Sequence, residues 1–203
     1  MQQKTKKKWT GDSVLIFFLK NRAFLLVILF FILLMLTTDT FLTGSNLMSL
    51  ARQIAANGII GVGYTFLLAS DSVDLSAGYM MCMIGIISGL LSQTSLPFVV
   101  ILLICIVIAM FCSSMNAVIE NRFNLPPFLV TLAMQQVFRG VLMLLSNGSP
   151  ISNLNEGIIF MGQGYIGPIP FSVLLMVIFI VAGHSIFSRT PFGRNVIAGG
   201  GNP

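Results

Sequence analysis

Charge is what this sequence has least of. Asp, Glu, Lys and Arg make up 8% of its 203 residues, against about 25% in a soluble domain. A globule in water needs polar surface, and so few charges cannot supply it. A mean hydropathy of +0.94 and 56% hydrophobic residues put lipid around most of the chain. Histidine is almost missing: His184 stands alone, without the Cys, Asp or Glu spacing that holds a metal. Cysteine is scarce, and Cys82, Cys105 and Cys112 all fall in apolar runs. An odd set without metal or redox spacing reads as small core residues rather than as a disulfide framework. No Gly-x-x-x-x-Gly-Lys-Ser/Thr occurs, which excludes ATP binding by that loop. Gly58-Ile-Ile-Gly61-Val-Gly63 is glycine-rich, but it sits inside an apolar run with no strand pattern after it. No catalytic residue, cofactor or metal is assigned, and the chain reads as a non-enzyme.

The charges that are present are placed unevenly. Six of the eleven Lys and Arg lie in the first 22 residues: Lys4, Lys6, Lys7, Lys8, Lys20 and Arg22. A basic cluster ahead of a hydrophobic run reads as a cytoplasmic anchor on membrane lipid, so the net charge of +5 does not point to nucleic acid. Within the cluster Val14–Leu19 is too short to span and is expected at the interface. A span needs about 20 mostly apolar residues, and six stretches meet this: Ala23–Phe41, Leu50–Ala69, Leu75–Leu91, Pro97–Ala117, Phe128–Leu145 and Phe171–Phe187. The runs are unbroken rather than alternating, which favours helices over a barrel. The first has the basic flank of a signal peptide but no small-x-small cleavage site after it, so it reads as an uncleaved helix.

With the N-terminus inside, the inner segments 1–22, 70–74, 118–127 and 188–203 hold nine Lys and Arg. The outer segments 42–49, 92–96 and 146–170 hold none, a strong positive-inside asymmetry. The expectation is an all-α polytopic bundle of about six helices with both termini cytoplasmic. Its parts are a basic segment 1–22, a transmembrane bundle 23–188 and a cytoplasmic segment 189–203. The outer segment Ser146–Pro170, rich in Gly, Asn and Pro, reads as a long loop, fitting either function or simple connection.

Polar residues inside such a bundle are costly and therefore informative. The second helix carries Ser49, Gln53, Asn57, Gly61 and Thr65 at steps of four, a slowly drifting stripe. Packing explains Gly61; Asn57 is the better candidate for lining a path. In the third helix Gly85 and Gly89 read as a packing pair. In the fifth, Thr131, Gln135 and Arg139 share a face, turned either to a packing partner for Arg139 or to a wet cavity. The sharpest anomaly is Ala69-Ser-Asp-Ser-Val-Asp-Leu-Ser-Ala-Gly78, which puts Asp71 and Asp74 between two uncharged runs. Either it is an inner loop whose Asp74 caps the following helix, or it is a break between helices lining a cavity.

Val73-Asp-Leu-Ser-Ala-Gly78 resembles the Ile-Asp-Leu-Ser-Val-Gly motif of ribose- and xylose-type ABC importer permeases. The resemblance continues, in order, through Asn57–Gly63, Pro126–Leu132 with Arg139-Gly140, Asn147-Gly-Ser-Pro150, and Thr190-Pro-Phe-Gly-Arg194 with Gly200-Gly-Asn202. It covers roughly residues 44–202. It departs at Asp71 and Ser72, where that family has small residues, often glycine. It also departs in length: by resemblance the chain is the N-terminal portion of a permease, ending before a coupling segment. The resemblance implies a permease subunit in a bacterial inner membrane, passing a monosaccharide delivered by a periplasmic or lipid-anchored sugar-binding protein. A separate ATP-binding cassette ATPase and a second permease copy complete such a system. Asn57, Asp74, Ser76, Gln135 and Arg139 are the expected substrate-pathway residues. The residues alone leave two other readings: a proton-coupled secondary transporter using Asp71, Asp74 and Arg139, or a shortened membrane protein that does not transport.

Overall fold

The computed structural model describes residues 22–200. The basic segment before Arg22, with Val14–Leu19, and the last three residues lie outside the described residues. Among the described residues there are eight helices and one small hairpin: α1 (Arg22–Thr37), α2 (Gly44–Ala69), α3 (Ala77–Ser92), α4 (Phe98–Phe123), α5 (Pro127–Ser146), α6 (Glu156–Gln163), β1 (Tyr165–Ile166), β2 (Ile169–Pro170), α7 (Phe171–Arg189) and α8 (Pro191–Gly200). The protein is thus an all-α helical membrane bundle. Three helices, α4, α5 and α7, are long and apolar enough to cross a membrane, and α1 and α3 are shorter apolar helices.

Each of the six apolar runs is a helix, but local chemistry moves the ends. α2 starts at Gly44 rather than Leu50 because Thr43 Oγ1 accepts from Asn46 N at 3.4 Å, the bond an N-cap makes. α4 continues to Phe123, six residues past the expected end, and stops where Asn124 turns left-handed (φ 48°) ahead of Pro126-Pro127. α5 then begins with Pro127 in its first turn, where the missing N–H costs no helix bond.

The chain divides into two compact units at Leu50/Ala51. In the first, the Phe31 and Phe41 rings pack edge to face at 5.1 Å, and Asn46 Nδ2 donates to Phe41 O at 2.7 Å. In the second, α3 packs on α4 and α5 around Met83, Cys112, Val130, Met134 and Phe138. Cys105 is buried as well, whereas Cys82 is exposed; all three thiols are free. α2 approaches α7 where Gly183 meets Val62 and Gly58 meets Met176, and the Phe66 and Phe187 rings lie 5.4 Å apart.

The segment 146–170 is structured, contrary to the loop expected. Asn155 N donates to Ser92 Oγ, Gln93 Nε2 donates to Ser152 O at 3.2 Å, and Asn155 Oδ1 caps α6 by accepting from Gly157 N at 2.9 Å. Gly89 is the seat for this segment: a Cβ there would stand 3.1 Å from Ile151 Cγ2. A Cβ at Gly85 would meet nothing within 4 Å among the described residues, so of the expected Gly85–Gly89 pair only Gly89 makes a close contact there. A Cβ at Gly61 would also have open space among the described residues; the close approaches of α2 to α7 are at Gly58 and Val62.

Candidate functional site

The site is built where α2 stops. Asp71 has φ 57°, the left-handed region that Asp and Asn enter more readily than other non-glycine residues. Its N–H donates to Leu68 O at 3.2 Å, and Ser72 N donates to Leu67 O at 3.0 Å. Those two bonds are the Schellman closure of a helix, with Asp71 at the position usually held by glycine. Asp71, unexplained from sequence, is therefore the turn residue that ends α2, and its exposed side chain takes no part in the network beyond it.

That network centres on Ser76, which is 0% exposed. Asp74 Oδ1 accepts from Ser76 N at 2.7 Å and from Ser76 Oγ at 2.6 Å. Ser76 Oγ in turn accepts from Asn116 Nδ2 of α4 at 2.9 Å. Tyr64 of α2 donates its hydroxyl to the Asp74 carbonyl. Thr131 of α5, also buried, donates to Pro127 O at 2.9 Å, with Val73 O at 3.4 Å. Hydrogen bonds from α2 and α4 thus hold a non-helical segment against α5. Asn116 Oδ1 is buried and has no partner among the described residues.

This geometry corrects the capping expectation. α3 begins at Ala77, not Leu75, and Ser76 is its N-cap residue without a side-chain cap bond. The Ser76 hydroxyl is already given to Asp74, and Asp74 binds the cap residue rather than the first-turn N–H groups. The segment is tied to the bundle inside the end of α4 rather than beyond it. Asn116 lies about 10 Å of helix before the end of α4 at Phe123, and Ser76 is level with it.

Of the five expected pathway residues, the fold joins only Asp74 and Ser76. Gln135 is half-buried, and Asn57 and Arg139 are exposed. The Arg139 guanidinium lies over the Tyr79 ring, 5.8 Å from its centroid, a cation–π contact in place of a carboxylate. Gln53, Asn57, Gly61 and Thr65 all face outward. Gly61 and Thr65 line a groove of about 350 Å³ against Gly183 and His184 of α7. Sequence reading missed Asn116, Tyr64 and Tyr79. A lone amide in the apolar run of α4 was the one available signal; its partner is 40 residues away.

Apolar helices around a buried polar break define a multi-pass helical membrane protein. The chain belongs to the family described as "Branched-chain amino acid transport system / permease component", which matches residues 46–203. It is 33% identical over 166 residues to the ribose import permease protein of Bacillus subtilis (strain 168), covering 80% of this chain and 51% of that protein. It is 27% identical over 190 residues to the ribose import permease protein of Haemophilus influenzae, covering 92% and 59%. Against the xylose transport system permease protein of Escherichia coli (strain K12) it is 31% identical over 132 residues, covering 64% and 34%. The chain spans about half the length of the two ribose permeases. No solved structure matches it.

Proposed function

We propose that the chain forms the substrate path of a permease subunit in an ABC-type importer for a monosaccharide, multi-pass in a bacterial inner membrane. The observation that supports this reading is the non-helical segment 70–76, tied to the bundle by the bonds from Tyr64 and Asn116. α3 has 16 residues, about 24 Å of helix, short of a hydrocarbon core about 30 Å thick. The polar segment supplies the remaining depth, and irregular backbone there is tolerated only against protein or a wet cavity. The polar face of α2 and Arg139 on α5 point out of the fold, and such groups are disfavoured against lipid. A water-filled path shared with further helices or a second permease copy gives Asn57, Gln135 and Arg139 their solvent, with Asp74 and Ser76 at its break.

Six crossings, a basic cytoplasmic segment 1–22, a bundle 23–188 and a cytoplasmic segment 189–203 complete the proposal. So do an ATP-binding cassette ATPase and a sugar-binding protein as partners. The permease performs no bond chemistry in this reading; it holds two arrangements of the path, biased by the ATPase through differential contacts. The test is uptake of labelled ribose and xylose by the complete transporter in vesicles with ATP inside. Accumulation that needs ATP and binding protein, and survives a proton uncoupler, is expected. Uptake that collapses with the proton gradient while ATP remains means a proton-coupled carrier, and no uptake of either sugar sinks the monosaccharide path.

A further inference from the structure

At the end of the bundle that carries 146–170, an open groove of about 680 Å³ runs between α4, α6 and α7. Its walls are Phe98 and Leu102 of α4, Phe160 of α6, and Phe171 and Leu175 of α7. Each long helix contributes residues one turn apart, so the groove descends along the helix axes, in the direction a lipid chain takes. Its one charged lining residue is Glu156, exposed in the first turn of α6. The helix dipole favours a carboxylate in that turn but does not account for its standing over an apolar groove. Its position is fixed by structure: Ser92 holds Asn155, Asn155 caps α6, and Gly157 lies so close to the Phe98 ring that no Cβ fits.

We propose that this groove seats one acyl chain of a phospholipid whose headgroup carries a primary ammonium, paired to the Glu156 carboxylate. Phosphatidylethanolamine has that headgroup, and phosphatidylglycerol, anionic and without an ammonium, is disfavoured beside Glu156. The experiment is native mass spectrometry of the complete transporter released from vesicles of equal phosphatidylethanolamine and phosphatidylglycerol. Retained phosphatidylethanolamine should exceed phosphatidylglycerol, fall roughly three-fold in E156Q as one exposed ion pair is lost, and return in E156D. L175W, which fills the groove, should lose the retained lipid. E156Q and E156D alter an exposed side chain, so they decide the matter even where L175W disturbs packing. Equal retention of the two lipids, or retention unchanged in E156Q, overturns the proposal. So does a lipid count that a folded L175W leaves intact, since protein then covers the groove.

Discussion

At the scale of single residues, Asp71 and Ser76 divide what looked like one acidic anomaly into two unrelated roles. Asp71 serves backbone geometry: it holds φ 57° at the left-handed end of α2, and its carboxylate stands where the helix dipole disfavours negative charge. Asp71→Gly is therefore expected to stabilise the protein by up to about 1 kcal/mol, and Asp71→Val to destabilise it by about 1–2 kcal/mol. Denaturant unfolding in detergent micelles measures both, and a stable Asp71→Val would show that the turn is not left-handed. Ser76 instead serves a buried network as donor to Asp74 and acceptor from Asn116. Ser76→Ala strands the Asn116 amide beside its carbonyl, which already has no partner among the described residues. The expected loss is about 1–3 kcal/mol for a buried unsatisfied group, in the same unfolding assay. A change near zero would mean that water reaches Asn116.

At the scale of elements, the approach of α2 to α7 distinguishes two glycines that look alike in sequence. A Cβ at Gly58 meets the Met176 sulfur at 2.6 Å, the far end of a flexible side chain that can move aside. A Cβ on buried Gly183 meets the Val62 side chain, which is β-branched and stiff. Gly183→Ala should thus cost about 1–3 kcal/mol by overpacking, and Gly58→Ala clearly less, by the same unfolding measurement. Reversed costs would place the tight contact elsewhere. The same contrast explains what the sequence made legible. Six helices could be read because long apolar runs announce themselves without any partner. The end of α2 at Ala69 was legible too, but its start and the end of α4 were not, because Thr43 and Asn124 act through single backbone bonds. α6 and α8 were missed because they are short and lie among Gly, Asn and Pro, with α6 tied down by contacts such as Ser92 to Asn155. Within the site, Asp74 and Ser76 were visible as polarity out of place. Asn116 was one amide in an apolar helix, and only the fold reveals that it faces Ser76.

At the scale of the whole molecule, the open quantity is the number of crossings, and α3 is the helix on which it turns. Alone α3 spans about 24 Å, and the hydrocarbon core is about 30 Å. If segment 70–76 lies at membrane depth, helix and segment together cross. If it is a surface loop, α3 falls short and the parity of everything after it reverses. Ser45, Ser149 and Ser188 are all exposed and report the answer once the three native cysteines are replaced. On the proposed six crossings, four (α2 to α5) separate Ser45 from Ser149, so single cysteines at these positions should both react with an impermeant maleimide outside intact cells. Ser188→Cys, one further crossing on through α7, should react only after permeabilisation. That pattern is also what nine inner against no outer Lys and Arg requires. Labelling of Ser45→Cys and Ser149→Cys from opposite sides would mean that α3 does not cross. The Asp74–Ser76–Asn116 network would then be the anchor of a loop rather than the floor of a path.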